Sequence, residues 1–283
     1  MKTRIITSVV GIVILSAVMM FFNTVFFDLV IAGICLLAIH EIFMAFKFEK
    51  AKYIFWGFVP YTLIIMLSST KFTRTSLLPI SYLFVLYLAI CVIINSKSLN
   101  FAKLSGMVVF SGIAIFCFYS FIFLKTLLPR DNYGYDAIYF MLLILGFAWG
   151  GDSAAYFAGR FFGKHKLAPI VSPHKTVEGA IGGVLGSVVV GMIITYVYTL
   201  MQGKFVGLPL DNTSFKYYIM IAIIGVISSI LGILGDLLAS AIKRQCEIKD
   251  YGTIFPGHGG ILDRFDSVIF IAPFVSMVIT VLR

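Results

Sequence analysis

Residues 217–242 read YYIMIAIIGVISSILGILGDLLASAI, and this apolar run decides the fold. A helix needs about 20 apolar residues to cross the hydrocarbon core of a bilayer, which is roughly 30 Å thick. The run exceeds that length and contains a single charged side chain, Asp236. We therefore predict a transmembrane helix here, with one acidic residue inside it.

The composition of the whole chain supports the same class of protein. Its 283 residues are 60% hydrophobic and only 12% charged, and the mean hydropathy is +1.02. Soluble domains carry about twice this share of charged residues. A water-soluble fold of this size could not bury so much apolar surface, so the bilayer must cover part of it. We predict an all-α integral membrane protein.

The same length criterion predicts about nine transmembrane helices in one continuous membrane domain. The first of them resembles a signal peptide, but no A-x-A-like cleavage site follows it, so we expect an uncleaved helix. Residues 1–130 are predicted to form a scaffold of such helices, and residues 131–283 the catalytic region. The nine predicted spans are 5–22, 25–46, 53–69, 78–95, 105–127, 135–158, 177–201, 217–242 and 262–282.

The charges of the loops predict the orientation of these helices. With the N-terminus in the cytoplasm, the 22 lysines and arginines divide 15 to 7 in favour of the cytoplasmic side, as the positive-inside rule requires. The polar loops 159–176 and 243–261 then face the cytoplasm, where nucleotides are found. Because the basic residues are scattered through short loops, the net charge of +9 does not indicate a nucleic-acid partner.

The helix that contains Asp236 carries a polar face. Asp236, Ser240 and Lys243 recur at helical spacing and therefore share one side of the helix. An aspartate in an apolar span is costly and should face protein, water or a cation. The alternative is a helix end at which Lys243 and Arg244 reach the interface, but this leaves Asp236, about two turns deeper, unexplained.

A glycine-rich loop follows this helix. Residues 256–260 contain three glycines and a proline, so the backbone amides of the loop can approach an anion closely. A helix that begins just after them would point its positive N-terminal end at the same place. Asp263 and Asp266 stand three residues apart in its predicted first turn, on one face. Acids favour helix N-termini in general, but that preference accounts for only one of the two.

Asp236, Asp263 and Asp266 are predicted to converge at the cytoplasmic edge of the membrane. Uncompensated carboxylates would repel one another, and a bound cation removes that repulsion. Carboxylate oxygens suit Mg²⁺, which completes its shell with water and substrate phosphates. Acids that hold a metal ion, mixed with bases that hold phosphate, are what nucleotidyl transfer requires. The basic side chains predicted around the acids are Lys243, Arg244, Lys249, His258 and Arg264.

An earlier stretch holds a second set of polar residues. Asp152 lies near the end of the predicted sixth span, and a basic loop with Lys166 and Lys175 follows. Residues 159–164 imitate a phosphate-binding P-loop faintly, but they lack its spacing and the Ser/Thr after the lysine, so we reject that interpretation. Basic loops beside lipid most often serve only to set the orientation of the neighbouring helices in the membrane. From the residue types alone, this role and phosphate binding are equally favoured here.

Two further features are assigned no part in the chemistry. His40 and Glu41, in the predicted second span, could pair with each other or with a neighbour, and their role is structural or unknown. A stripe of small residues recurs every four positions in the predicted seventh span, and such stripes pack helices together more often than they bind ligands. The stripe consists of Gly179, Gly183, Ser187 and Gly191.

The polar residues between Ser240 and Asp266 form a spaced pattern of 27 residues. The pattern reads Ser240-x-x-Lys243-Arg244, Lys249-Asp250, Pro256-x-His258-Gly259-Gly260 and Asp263-Arg264-x-Asp266. It resembles the signature of the phosphatidate cytidylyltransferase (CDP-diacylglycerol synthase) family. The upstream runs 163–169 and 172–179 also look like this family, whereas the first 130 residues are similar only in being hydrophobic spans.

The resemblance implies an enzyme that transfers the cytidylyl group of CTP to phosphatidic acid, giving CDP-diacylglycerol and pyrophosphate for phospholipid biosynthesis. It implies dependence on Mg²⁺, a second cation, monovalent or divalent, and a homodimer. We expect a place in the bacterial cytoplasmic membrane, with the active site facing the cytoplasm. By resemblance, the metal ligands are Asp236, Asp263 and Asp266, the catalytic residues Lys243, Lys249, Asp250 and Arg264, and the substrate-binding residues Asp152, Lys166, Lys175, Ser240, Arg244 and His258.

Two other classes of function remain open. An ion-coupled secondary transporter could bind its ion at Asp152 and Asp236, although transporters bind near the membrane midplane and these residues are predicted at one face. A CTP-dependent kinase of a polyprenol or another lipid would need similar groups. Release of pyrophosphate from CTP that depends on phosphatidic acid separates the enzyme from a transporter, and a change of lipid acceptor in the same assay decides between the two enzymes.

Overall fold

The structure is a computed structural model that describes residues 11, 13–49, 51–68, 77–97, 99–254 and 259–283. Within these residues the chain is predominantly helical, with one short two-stranded sheet. The elements in chain order are α1 (Val25–Ala45), α2 (Lys52–Met66), α3 (Leu77–Ile94), α4 (Phe101–Leu127), α5 (Arg130–Tyr133), α6 (Asp136–Leu145), a π-helical segment (Gly146–Gly150), α7 (Gly151–Phe162), β1 (Lys166–Ala168), β2 (Ser172–Thr176), α8 (Val177–Gln202), α9 (Phe215–Gln245), α10 (Leu262–Phe265) and α11 (Val268–Leu282).

Six helical stretches of the described chain are long and apolar enough to cross a membrane, which agrees with the predicted class. They are α1, α3, α4, the continuous helix from α6 to α7, α8 and α9. The predicted third and ninth spans correspond to α2 and α11, which contain 15 residues each, or about 22 Å of helix. The predicted first span, 5–22, lies mostly outside the described residues, although residues 13–20 are helical.

The helix predicted to start at residue 262 is interrupted in the structure. Residues 262–265 form a single helical turn, α10, and the long helix α11 begins only at Val268. Asp263 accepts hydrogen bonds from the loop before it, and Asp266 accepts one from the amide of Ser267. Short acidic side chains that bind nearby amides compete with helix formation. Asp263 and Asp266 therefore do not share the first turn of one helix, and α10 is too short for an N-terminal anion site.

Part of the loop predicted at 159–176 is a β-hairpin. β1 and β2 pair antiparallel, with Lys166 opposite Thr176. The hairpin leads directly into α8, because Oγ1 of Thr176 accepts a hydrogen bond from the amide of Gly179 at 3.1 Å and so caps the helix. The all-α description thus needs this small sheet added. Its two strands give the basic loop a defined conformation.

The described chain forms two compact units, each considered by itself. In the first unit, within residues 1–123 and 246–264, α1 packs on α2 and α2 packs on α3. In the second unit, within residues 124–245 and 265–283, α8 packs on α7 and α9, and α9 packs on α11. The predicted division at residue 130 concerns where the chemistry lies, and it stays a prediction.

The stripe of small residues on α8 packs helices, as predicted. All four of its members are buried. A Cβ on Gly183 would lie 3.1 Å from the Cβ of Ala155, and one on Gly191 would lie 2.3 Å from Cε1 of Phe147. Ser187 donates a hydrogen bond at 2.8 Å to the carbonyl of Phe147, within the π-helical segment, where the widened turn leaves carbonyls in need of donors. The stripe therefore lets neighbouring helices approach α8 closely.

Candidate active site

Four elements of the second unit bring acidic and basic side chains together. We call this group the acidic cluster, and all of its members are residues predicted for the site. Asp152 comes from α7, Asp236 and Lys243 from α9, Lys175 from β2, and Asp266 from the turn before α11.

Asp236 is held by side chains on both of its oxygens. Its Oδ2 lies 2.5 Å from Nζ of Lys175, and its Oδ1 accepts a hydrogen bond at 3.2 Å from Oγ of Ser240, one turn further along α9. The side chains of Asp236 and Lys175 are each 24% exposed, so the ion pair is partly shielded from water. Ser240 and Lys243 are buried on the same helix, which confirms the predicted polar face.

Asp266 lies in the turn that precedes α11 and is half-buried. Burial raises the pKa of Asp266 well above its ordinary value, and the negative charges of Asp236 and Asp152 raise this pKa further, whereas Lys243 lowers it. The three carboxylates therefore share one neighbourhood. Mutual repulsion of this kind is what a bound cation relieves.

Two contacts fix the turn of Asp266 against its neighbours. A Cβ on Gly235 would lie 2.4 Å from the carbonyl oxygen of Asp266, so only glycine permits this approach of α9 to the turn. The buried hydroxyl of Ser267 donates a hydrogen bond at 2.8 Å to Oδ2 of Asp152. The positions of Asp152 and Asp266 are thus set by direct contacts within the second unit.

The hairpin that carries Lys175 is itself anchored. Glu178, at the start of α8, accepts a hydrogen bond from the amide of His165, and Nδ1 of His165 lies 2.6 Å from its Oε1. Arg244, exposed at the end of α9, donates through Nε to a carbonyl of the hairpin at 3.5 Å. The hairpin therefore presents two of the predicted substrate-binding lysines, Lys166 exposed and Lys175 paired with a carboxylate.

The other signature residues belong to the first unit, where two carboxylates hold a loop. Glu41 of α1 is only 4% exposed and accepts hydrogen bonds from the backbone amides of residues 261–262, both at 2.9 Å. Asp263 accepts hydrogen bonds from the amides of Tyr251 at 2.8 Å and Gly260 at 3.0 Å. Both carboxylates thus bind backbone donors in this structure.

The predicted site residues fall into two groups. Six lie close together in the second unit: Asp152, Lys175, Asp236, Ser240, Lys243 and Asp266. Three of those in the first unit, Lys249, Asp250 and Arg264, are exposed, and Asp263 is buried. His258 lies outside the described residues. Among the residues that the structure does describe, no three acidic, histidine or cysteine side chains form a preassembled group of metal ligands. The convergence of Asp236, Asp263 and Asp266 on one ion stays a prediction.

Two contributors to these sites, Glu41 and Ser267, were given no part in the chemistry from the sequence. Glu41 did carry a signal, because an acid inside an apolar span should have a partner. Its partner Ile261, however, is 220 residues away along the chain, and no local pattern connects the two. Ser267 follows Asp266 and gives no signal of its own, since nothing in the sequence places it next to Asp152.

Long apolar helices and a partly shielded mixture of carboxylates and lysines define an integral membrane protein with a site suited to phosphates and cations. The family model described as "Cytidylyltransferase family" matches residues 2–282. The chain belongs to the cytidylyltransferase family, which confirms the resemblance found in the sequence.

Several curated relatives carry the name phosphatidate cytidylyltransferase. The one from Bacillus subtilis (strain 168) is 40% identical over 171 residues, which is 60% of this chain and 56% of the relative. The one from Staphylococcus haemolyticus (strain JCSC1435) is 40% identical over 144 residues, 51% of this chain and 50% of the relative. The chain thus spans about half the length of the curated relatives it matches.

Proposed function

We propose that this protein transfers the cytidylyl group of CTP to phosphatidic acid, giving CDP-diacylglycerol and pyrophosphate for phospholipid biosynthesis. Membership of the cytidylyltransferase family supports cytidylyl transfer, and the names of the relatives support phosphatidic acid as the acceptor. The observation that carries the proposal is the pair of Asp236 and Lys175 within the acidic cluster. It sets a carboxylate suited to a cation beside a lysine suited to a phosphate.

The proposed reaction is an in-line displacement at the α-phosphorus of CTP. A phosphate oxygen of phosphatidic acid attacks this phosphorus and forms a new P–O bond. The bond from the α-phosphorus to the bridging oxygen of the β-phosphate breaks, and pyrophosphate leaves with the electron pair. Because the attacking oxygen is already ionised near pH 7, little general-base help is needed. The work of the protein is therefore to position two phosphates and to neutralise their charge.

Basic side chains carry most of this work in the proposal. Lys243 is buried beside the carboxylates of the second unit and would stabilise charge on the reacting phosphates. Ser240 holds Asp236 in place through its hydroxyl. The exposed catalytic residues of the first unit are Lys249, Asp250 and Arg264, and the remaining proposed contacts to substrate are Asp152, Lys166, Lys175, Arg244 and His258.

Mg²⁺ suits the acidic cluster because hard carboxylate oxygens are its preferred protein ligands. When bound, it would supply positive charge that polarises the phosphates of CTP and stabilises the leaving pyrophosphate. Asp236 and Asp266 are the proposed ligands, and the repulsion that raises the pKa of Asp266 supports a cation there. Asp263 is the proposed third ligand, and a second cation, monovalent or divalent, is part of the same proposal.

The proposed role of Lys175 depends on the length and flexibility of its side chain. Its ammonium group pairs with Asp236, and a lysine side chain is long and flexible enough to exchange one anion for another. We propose that Lys175 leaves Asp236 for a phosphate of CTP. That movement uncovers the carboxylate oxygen that a cation requires.

The finer topology belongs to the same proposal. The six long helical stretches, the shorter helices α2 and α11 and the helical residues 13–20 support nine spans. The distribution of lysine and arginine supports an N-terminus and an active site on the cytoplasmic side of the bacterial cytoplasmic membrane. The proposed homodimer rests on the family resemblance.

The decisive experiment measures products from CTP with the purified full chain in lipid nanodiscs. We expect pyrophosphate release that requires both phosphatidic acid and Mg²⁺, with CDP-diacylglycerol formed in equal amount. A lipid kinase would instead release CDP and phosphorylate a polyprenol or another lipid alcohol. A transporter would consume no CTP, and either outcome would overturn the proposal.

A further inference from the structure

We infer that Glu41 is a positioning residue for this reaction, and that it holds residues 249–254 and 259–264, here together named the signature loop, in their working conformation. The inference rests on the proposed function, because it takes Lys249, Asp250 and Arg264 as active-site residues. Glu41 is no part of the signature itself. It comes from α1, 220 residues before its partner in the loop.

The contact between Glu41 and the loop uses both carboxylate oxygens. Oε1 accepts a hydrogen bond from the amide of Ile261, and Oε2 accepts one from the amide of Leu262, each at 2.9 Å. Glu41, Ile261 and Leu262 are all buried. Hydrogen bonds to a charged acceptor are stronger than neutral ones, and two parallel bonds fix orientation as well as distance. Glu41 therefore determines how this end of the loop is oriented.

Two glycines of the loop make room for the same carboxylate. A Cβ on Gly252 would lie 2.4 Å from Oε1 of Glu41, and one on Gly260 would lie 2.3 Å from it. Neither glycine has a positive φ, so the backbone conformation does not require glycine at these positions. Glycine is required at both positions because the side chain of Glu41 occupies the space that a Cβ would need. The loop is therefore shaped around this side chain near both of its ends.

The positions that are held lie next to the charged residues of the loop. Asp263 binds the amides of Tyr251 and Gly260, so it joins the two ends of the loop that Glu41 contacts. Tyr251 directly follows Asp250, and Arg264 directly follows Asp263. A shift of residues 261–262 away from Glu41 would therefore move the charged groups on which phosphate positioning depends.

The first test compares Glu41→Ala and Glu41→Gln with Gly33→Ala, a matched change on the same helix at a site with nothing within 4 Å of the new Cβ. In Glu41→Ala we expect kcat for pyrophosphate release to fall about 100-fold and KM for CTP to change less than about threefold, since misplacement is felt most in the transition state. Glu41→Gln keeps one accepting oxygen, so its kcat should fall about tenfold. Gly33→Ala should match the wild type. A kcat of Glu41→Ala within threefold of the wild type would overturn the inference.

A double-variant cycle tests whether the contact itself matters. Gly260→Ala should lower kcat about 100-fold alone, because its Cβ drives the carboxylate away. When Gly260→Ala is added to Glu41→Ala, kcat should fall by less than about a further threefold, because the Glu41 side chain that the new Cβ would meet is already absent. Losses that multiply would mean that the two residues act separately, and the inference would then be wrong.

Hydrogen exchange gives a reading that does not depend on activity. In Glu41→Ala the amides of residues 261–262 should exchange at least about tenfold faster, with α1 unchanged. Faster exchange throughout the first unit would reduce Glu41 to a general structural role and overturn the inference, as would unchanged exchange at 261–262. A wild-type protein that releases no pyrophosphate would instead overturn the proposed function, so the two failures are distinguishable.

Discussion

In the second unit, Asp152, Asp236 and Asp266 interact with lysines, with hydroxyls and with one another, whereas in the first unit Glu41 and Asp263 accept hydrogen bonds from backbone amides. A carboxylate held by backbone amides keeps its partners for as long as the loop stays folded. A carboxylate paired with a lysine side chain can exchange that partner for another cation. The first arrangement suits the maintenance of a shape, and the second suits the binding and release of ions.

The comparison also changes how acidic residues in membrane helices are interpreted. Glu41 and Asp236 are both acids in apolar helices, where burying a charge is costly, but only Asp236 was predicted to take part in the chemistry. Their partners separate them, since one has backbone donors and the other has Lys175. On the proposed function, the kind of partner therefore distinguishes an acid that holds a loop from an acid that binds a cation.

The largest effect is expected for Asp236→Ala. Cytidylyl transfer should fall by about 10³-fold, while the protein stays folded in the membrane, because Asp236 binds side chains and not backbone. Pyrophosphate release and thermal unfolding of the purified protein measure the two quantities. Asp211→Ala, at an exposed loop position of the same unit, is the control and should be fully active. Near-normal turnover in a well-folded Asp236→Ala protein would remove the acidic cluster from the mechanism.

Lys175→Met should have the next largest effect, and it should weaken the use of CTP while strengthening the binding of Mg²⁺. The value of kcat/KM for CTP should fall by about 100-fold, because a phosphate contact is lost. The Mg²⁺ concentration that gives half-maximal rate should also fall, because no ammonium group competes for Asp236. Titrations of CTP and Mg²⁺ measure both, with Lys204→Met, an exposed lysine, as the control. A rise in the Mg²⁺ requirement would contradict the exchange of partners proposed for Lys175.

Asp263→Ala should differ from Asp236→Ala in its effect on stability. Its loss leaves the amides of Tyr251 and Gly260 without their acceptor, so the free energy of unfolding should fall by about 1–3 kcal/mol. As a proposed metal ligand, it should also raise the Mg²⁺ requirement. Glu49→Gln, exposed in the same unit, should change neither quantity. If Asp263→Ala left the unfolding free energy unchanged, the contrast drawn between the two units would fail.

The smallest effect is expected for Ser267→Ala. This change removes the hydrogen bond from Ser267 to Asp152 and leaves the rest of the turn intact. A single hydrogen bond to a charged group is a modest contribution, so kcat should fall about tenfold with only a small decrease in melting temperature. Ser105→Ala, a half-buried serine bonded to its own helix, is the comparison. An unchanged kcat would show that Asp152 needs no orientation by Ser267.

The sequence predicted the features that depend on hydrophobic length and helical spacing. The long helices follow from apolar runs of the required length, and the face shared by Asp236, Ser240 and Lys243 follows from helical periodicity. The packing stripe on α8 follows from small residues at every fourth position. These signals depend on residues that are close together in the sequence, so they can be recognised without the structure.

The features that were missed depend on partners far apart in the chain. The hairpin lacks the alternation of a strand pattern, because β2 reads Ser-Pro-His-Lys-Thr and proline is unusual in a strand. The break before α11 arises because Asp263 binds an amide twelve residues earlier. The pairing of Lys175 with Asp236 and the contact of Glu41 with the signature loop both need the folded chain.

The π-helical segment 146–150 has a consequence for how Asp152 is aimed. A wide turn inserts about one extra residue into the helix, and each residue of an α-helix advances by about 100° around the axis. The segment therefore sets the angular phase of α7 relative to α6. Loss of one residue there would leave an unbroken helix of almost the same length, hydropathy and charge, yet it would rotate Asp152 away from Ser267. A chain of this family can thus lose one residue from an apolar stretch with almost no change in composition. The aspartate that follows would nevertheless lie on a different side of the helix.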